Sequence, residues 1–238
     1  MKNMELLSGL DSRLGEIEYS VLSGRCGRNA AGLDLNNRAY AYWKEFWGSI
    51  YESAGSRAAF VLDDFSRQDV VGVLSRRDEI VAVHCHSFFN IEQRATLDHR
   101  YFLFYPPSYL ERLREWGVRK VVTYEFLTLN PDWTKRKIGF PLAEAIMGLG
   151  LRVLEESDAD AIISSVRRDV KVHEMCQRWG WETFQANVQR RNFPLDLMAC
   201  HRSAIKPHVD PQIDEFCRQL WRGRGVDAPA PSILSKAA

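Results

Sequence analysis

The 238-residue sequence has few of the features that assign a chain to a specialised class of protein. Its basic and acidic side chains balance, 32 against 31, so the charge pattern gives no electrostatic footprint for nucleic acid. None of its cysteines forms a Cys-x-x-Cys pair, which argues against a disulfide framework and against a structural zinc site. The five widely spaced cysteines are Cys26, Cys85, Cys176, Cys200 and Cys217.

Long apolar segments and low-complexity segments are also lacking. The opening residues, MKNMELLSGLD, do not contain the apolar core of a signal peptide, and no later run is long enough to span a bilayer. We therefore expect no membrane span and a cytoplasmic location. A hydrophobic content of 45% excludes a disordered chain, and the length is sufficient for a sizeable core.

The residue pattern predicts a mixed α/β fold that forms a single domain over residues 1–206. Predicted strands cover residues 16–23, 70–74, 80–88, 120–129, 161–166, 183–191 and 195–200. Predicted helices cover a segment from Asp34 or Asn36 to Ser53, and residues 106–117, 140–156 and 172–179. Alternation of strands and helices, flanked by hairpins, is typical of a mixed sheet.

The segment 207–238 is interpreted as a separate tail, because it holds four of the nine prolines. Within it, Ile213, Phe216, Leu220 and Trp221 follow helical spacing. This predicts a short amphipathic helix that packs on the domain or on a partner.

The segment from Thr123 to Leu142 carries the clearest functional signal. It predicts a buried strand, a basic loop that closes on Gly139, and the start of an amphipathic helix. Such a connection directs backbone N–H groups and the positive helix end to one point, which suits a phosphate-bearing ligand. The cations of residues 135–137 oppose the helix dipole, and a bound anion would relieve this conflict. The alternative is an ordinary solvated turn.

These elements resemble the GNAT superfamily of N-acyltransferases over roughly residues 60–202. Leu129-Asn130-Pro131 matches the apolar-x-Pro end of that family's fourth strand. Without a gap, Thr134, Lys137 and Gly139 fall on the defined positions of its Arg/Gln-x-x-Gly-x-Gly/Ala loop. A second register, which starts at Arg136, requires a two-residue insertion. The run Met175 to Trp181 resembles the family's Leu-Tyr-x-x-x-Gly-Phe element.

The resemblance implies an enzyme that moves an acyl group from acyl-CoA, or from acyl carrier protein, to a small-molecule primary amine without a metal. In this family the loop amides hold the donor's pyrophosphate, here at residues 134–139. The donor-binding residues that it implies are Leu127, Leu129, Thr134, Lys135, Arg136, Lys137, Ile138 and Gly139. The oxyanion donor would be a backbone N–H near Leu129.

Two positions depart from the family pattern. Lys137 replaces a glycine that lets the backbone approach phosphate, and Cys176 stands where many members carry a tyrosine that protonates the departing thiolate. The loss of both features resembles the pattern in the branch of the family that makes acyl-homoserine lactones and N-acyl amino acids. The same two departures are also compatible with a non-catalytic protein that binds acyl-CoA as a sensor or scaffold. A third hypothesis is an interaction module that uses the helix at 211–222.

Glu125 is the candidate catalytic base. It lies four residues before Leu129, where the family often places a glutamate that takes the amine's proton. The alternative is a carboxylate that faces solvent or pairs with an arginine. His84 and His86 share one strand face, as a metal pair or as polar lining, and no third ligand has suitable spacing. A nucleophilic Cys85 or Cys176 is not favoured by any spacing.

Overall fold

Two β-sheets organise the chain in the computed structural model, which describes residues 11–24 and 30–226. The described strands are β1 (Glu18–Ser23), β2 (Val70–Arg76), β3 (Glu79–His86), β4 (Phe88–Asn90), β5 (Lys120–Thr123), β6 (Glu125–Leu129), β7 (Ala161–Arg167), β8 (Glu182–Arg190), β9 (Phe193–His201) and β10 (Gly225–Val226). The described α-helices are α1 (Ala30–Ser53), α2 (Asp63–Ser66), α3 (Arg94–Leu97), α4 (Pro107–Glu115), α5 (Lys135–Ile138), α6 (Leu142–Glu156), α7 (Val172–Arg178) and α8 (Pro211–Arg222). The predicted mixed α/β architecture is confirmed.

The strand order in the first sheet is β10-β1-β2-β3-β6, and in the second it is β4-β5-β7-β9-β8. Antiparallel pairing dominates both sheets. The exceptions are the parallel pairs β1 with β10 and β5 with β7. Strands β5 and β7 are parallel because the chain crosses from one to the other through β6 and helix α6. The buried face of α6 packs between the two sheets.

Each sheet face is covered by helices with apolar stripes. Helix α1 lies on the first sheet, where Trp43 is fully buried, and α4 lies on the second with Tyr109 and Leu113. Helix α6 is buried almost throughout and forms the largest core cluster together with α8. No helix among the described residues has the length and apolar character that a bilayer crossing requires.

The strand predicted over residues 120–129 is wrong as a single element. It divides at Tyr124 into β5 and β6, and these belong to different sheets. The break follows from Phe126, whose left-handed φ of 55° carries its ring edge-on against Trp43 and Trp47. This tertiary packing overrides the continuous β pattern of the sequence.

Smaller boundaries also differ from the prediction. Helix α1 begins at Ala30, so Asp34 lies inside it and pairs with Arg38 instead of capping its start. The final hairpin turns at Arg191 and Asn192, both left-handed, whereas Pro194 lies inside β9 opposite Gln189. Proline is tolerated there because it stands next to the first residue of the strand.

The predicted tail helix is confirmed as α8. It is capped by Asp210, which accepts the N–H of Gln212, and its apolar face packs on α6 and β1. Phe216 and Cys217 are buried in the main core, so this face is occupied by the protein itself. The interaction-module hypothesis therefore loses the surface on which it depended.

Candidate active site

A cavity of about 640 Å³ occupies the gap between the sheets. It opens because β5 follows β7 as far as Thr123, whereas β6 turns away to pair with β3. The carbonyl of Tyr124 accepts a hydrogen bond from the Ser164 hydroxyl, and beyond this point β6 and β7 diverge. The cavity then extends from Thr134 and Ala143 to Asp64 and Arg190.

Strand β6 forms one wall of the cavity and is the edge strand of its sheet. The N–H of Asn130 donates to Val81 in β3. Since backbone groups alternate in direction along a strand, those of Leu129 point away from β3, toward the gap. An edge strand of this kind offers unpaired N–H and C=O groups to an extended ligand.

Glu125 lies at the start of β6, half-buried on the cavity wall. Burial raises the pKa of its carboxyl from 4.5 to about 7, and a hydrogen bond from Thr123 partly opposes the shift. The charges of Arg67 and Arg190 also act to lower this pKa. A carboxyl that titrates near neutrality can accept a proton at physiological pH, as a general base requires.

Thr123 fixes the orientation of Glu125. Its hydroxyl oxygen accepts the N–H of Ser87 at 2.9 Å and the hydroxyl donates to Glu125 Oε1 at 2.7 Å. The hydroxyl hydrogen is thereby committed to the carboxylate. A hydrogen bond from the Gln68 side chain also lowers the pKa of this carboxyl.

Among the residues that the structure describes, five arginines line the cavity, and four of them have partners within the protein. Arg67 and Arg100 pair with Asp64, and Arg167 pairs with Asp169. Arg191 donates to the hydroxyl of Tyr51 at 2.8 Å. The fifth is Arg190, whose guanidinium carbon lies 3.4 Å from the centroid of the Phe104 ring.

The basic loop contains the short helix α5, which the sequence did not predict. The amides of Lys137 and Ile138 donate to Thr134, and that of Gly139, at φ 74°, donates to Lys135. In the described part of the chain the N–H groups of residues 134–136 have no acceptor. These are the loop amides that remain for a ligand.

The three cations of this loop are exposed but differ in their partners. The ammonium of Lys137 bonds to Asp132, which holds the pKa of that carboxyl below its usual value. Lys135 and Arg136 form no ion pair with the residues that the structure describes. Ile138 is buried beneath them and anchors the loop to the core.

Cys176 does not face the cavity as an acid. It is fully buried against Met147, with its Sγ 3.9 Å from that sulfur, and burial raises the pKa of its thiol. Its neighbour Met175 lines the cavity instead. No sequence signal distinguishes the two positions, because only the rotation of α7 decides which side chain faces inward.

His84 and His86 are fully buried and bond to each other at 2.7 Å. His86 Nδ1 donates to the carbonyl of Thr123, so its Nε2 accepts from His84, whose Nε2 in turn accepts from Tyr19. Burial lowers the pKa of His86 to about 4 and keeps this chain neutral. The two histidines therefore connect β3 to Thr123, the last residue of β5 before the chain breaks at Tyr124. Among the described residues no group of three or more potential ligands is arranged to hold a metal ion.

The first turn of α6 is tied to the segment before α8. Glu144 accepts hydrogen bonds from Arg178 at 2.9 and 3.0 Å, and its Oε2 lies 2.7 Å from His208 Nε2. The Glu144 carbonyl also accepts from the indole of Trp179. These contacts fix the helix start that follows the basic loop.

Two solved structures share this architecture. BjaI, a CoA-dependent acyl-homoserine lactone synthase solved with SAM and isopentyl-CoA, gives a TM-score of 0.60 at 9% identity, over 93% of this chain and 98% of that chain. An acyl-CoA N-acyltransferase from Pseudomonas aeruginosa gives a TM-score of 0.50 at 9% identity, over 77% and 99% of the two chains. No family model and no curated protein matches the sequence. At these identities the similarity concerns the fold.

Proposed function

Since the chain has the fold of the GNAT N-acyltransferases, we propose that it transfers an acyl group from acyl-CoA to a small-molecule primary amine by direct attack. The amine nitrogen forms a bond to the thioester carbonyl carbon, and the carbon–sulfur bond breaks. The proton lost by nitrogen passes to Glu125, and the thiolate leaves. Acyl transfer of this type needs a neutral amine and a stabilised oxyanion.

The donor is proposed to bind along β6 and the loop that follows it. Leu127 and Leu129, which line the cavity, contact its extended arm, and an N–H near Leu129 serves the oxyanion. The pyrophosphate is held by the free amides at Thr134, Lys135 and Arg136, with the side chains of the last two as counter-charges. Lys137, Ile138 and Gly139 complete the site by shaping the loop around these amides.

The thiolate in this proposal takes its proton from solvent. Cys176 is buried behind Met175 and its raised pKa makes it a poor donor. A thiolate is an acceptable leaving group without an acid, since thiols ionise not far above neutral pH. The missing tyrosine is therefore compatible with turnover.

The observation that carries the proposal is the position of Glu125. A half-buried carboxylate whose pKa is raised to about 7 stands at the start of an edge strand with open backbone groups, over one continuous cavity. This is the arrangement that acyl transfer to an amine requires. A scaffold that only bound acyl-CoA would not need a carboxyl with a raised pKa at this position.

Calorimetric titration with acetyl-CoA, a long-chain acyl-CoA and an acylated carrier protein tests the proposal. We expect saturable binding of an acyl-CoA and loss of its thioester when amines are added. Absence of binding by every donor contradicts the assignment. Binding without turnover across an amine panel identifies a sensor, and binding of the carrier protein alone assigns that donor.

A further inference from the structure

Gln68 is a polar residue of the cavity wall that is almost completely buried, at 3% exposure. It lies in the turn between α2 and β2, directly before Asp69. The N–H of Asp69 donates to the carbonyl of His86 at 2.8 Å, and the Asp69 carboxylate accepts the N–H of Phe88 at 2.9 Å. These bonds attach the turn to the link between β3 and β4, and so they fix the backbone beside Gln68.

The side-chain amide of Gln68 has one orientation in this setting. Its Nε2 donates to the carbonyl of Asp64 at 2.9 Å, and a carbonyl oxygen can only accept. Its Oε1 therefore faces the other way, where it accepts the hydroxyl hydrogen of Ser87 at 3.1 Å. The second hydrogen of Nε2 is left for the carboxylate of Glu125, and this hydrogen bond acts to lower the pKa of that group.

Gln68 thereby closes a ring of hydrogen bonds around the base. Ser87 donates its N–H to the Thr123 hydroxyl at 2.9 Å and accepts the Thr123 N–H at 2.8 Å. Thr123 donates in turn to Glu125 Oε1 at 2.7 Å. The four residues of the ring come from three separate segments of the chain, so the carboxylate is held by two neutral donors that are themselves fixed.

The other titratable groups around Glu125 act on it through their charges or stand beside it as neutral groups. Arg67 and Arg190 lower its pKa, although Arg67 is paired with Asp64. The neutral groups that its charge reaches are Cys85, Tyr101 and Tyr105. An amide donor stabilises a carboxylate less than a paired cation does, so the group keeps the strength of a base near neutral pH.

We propose that Gln68 is a positioning residue for the catalytic base, because its fixed amide donates the second hydrogen bond that keeps Glu125 ionised and directed at the amine. This inference rests on the proposed acyl transfer. Without the amide, burial favours the protonated acid, which cannot take a proton from nitrogen. Gln68 therefore acts through Glu125, by setting the fraction of the base that is ionised at a given pH.

Two measurements on the full chain test this role. The first is the pH profile of kcat/KM for thioester loss with the preferred amine, in the wild type, Q68M, Q68E and S87A. The second is a carbon-13 NMR titration of the glutamate carboxyls, in which the Glu125 signal is the one that E125Q lacks. The second measurement needs no acyl donor. Gln219→Met is the matched control, since that amide also donates to a glutamate, Glu215 Oε1 at 3.0 Å, but on α8.

In Q68M we expect the Glu125 carboxyl to titrate about one unit higher than in the wild type, because the donor is removed and the burial remains. Turnover then falls by about fivefold at pH 7 and recovers at about pH 9. Q68E places a second carboxyl beside the base, so its shift and its loss are larger. S87A frees only Oε1 and gives a smaller shift. Gln219→Met changes neither measurement, and the KM for the acyl donor is the same in every variant.

The proposal is overturned if Glu125 titrates in Q68M or Q68E as it does in the wild type. A loss of turnover that is equal at every pH would also overturn it, since a merely structural residue gives that result. Q68E decides the question if Q68M does not fold, because its side chain keeps the original shape. Failure of the proposed function is distinguishable: no acyl-CoA binds, whereas the NMR titration still separates Q68M from the wild type.

Discussion

Thr123 donates its hydroxyl hydrogen to Glu125 Oε1 across 2.7 Å, and this contact helps to hold the carboxylate on the cavity wall. The same hydroxyl receives the Ser87 N–H, and the Thr123 carbonyl receives His86 Nδ1. Thr123 is thus held at both its side chain and its main chain. It is a positioning residue at the point where the two sheets separate.

Replacing Thr123 with valine should shift the pH dependence of turnover. The hydrogen bond from Thr123 lowers the pKa of Glu125, so T123V should move the rising limb of kcat/KM to higher pH by up to about one unit. T123S keeps the hydroxyl and should retain the wild-type profile. Coincident profiles for T123V and the wild type would show that this contact does not act on the base.

Replacing Glu125 with glutamine should lower turnover by about 10²-fold or more and leave donor affinity unchanged. It should also stabilise the protein. The folded-state pKa of about 7 exceeds the ordinary 4.5, so the stability contributed by this group is present at low pH and is lost as pH rises through that window.

We therefore expect the unfolding free energy of E125Q to exceed that of the wild type at pH 8 by on the order of 1–3 kcal/mol, and by less at pH 5. Denaturant unfolding at both pH values checks this. Glu52→Gln, at an exposed position of α1, is the control and should change neither quantity. An E125Q variant with full turnover would remove the assignment of the base.

The three cations of the donor loop should contribute unequally to binding of CoA. Lys137 is paired with Asp132, whereas Lys135 and Arg136 are not paired within the described residues. We expect K135A and R136A each to weaken CoA binding by about tenfold at low salt, with a smaller loss for K137A. Lys120→Ala, which removes a lysine paired with Asp158, is the control. Equal losses for all three would contradict this order.

Replacing Gly150 with alanine should destabilise the protein. An added Cβ would lie 1.8 Å from the Tyr124 ring, whose hydroxyl is fixed by a hydrogen bond to Ile146. We expect a loss of about 1–3 kcal/mol or more, measured by thermal or denaturant unfolding. Gly15→Ala, where an added Cβ has no neighbour within 4 Å, is the control. A neutral G150A would mean that Tyr124 can move without cost.

The fold was largely predictable, because its strands and helices carry clear local patterns. The apolar stripe of α6, the helix α8 and the hairpin of β2 and β3 are visible in the sequence. The break at Tyr124 was not, since residues 120–129 read as one uninterrupted strand. The reason lies in residues that are distant in sequence, because Trp43 and Trp47 of α1 contact the Phe126 ring.

The site was predictable where the chemistry is local and not where it depends on tertiary contacts. Glu125 was found because a carboxylate inside an apolar strand is conspicuous. Arg190 was missed, since its place in the cavity and its contact with the Phe104 ring are properties of the assembled fold. Helix α5 was missed as well, because three successive cations before a glycine are equally compatible with an open loop.

Pairing of β10 with β1, and burial of α8 in the main core, have a consequence for synthesis of the protein. The first described strand acquires its partner on this edge only after residue 226 has left the ribosome. Until then the back of α6 and the edge of β1 are exposed to solvent in the nascent chain. Chaperone demand should therefore be highest late in translation, and a ribosome that stalls before α8 should leave an aggregation-prone product.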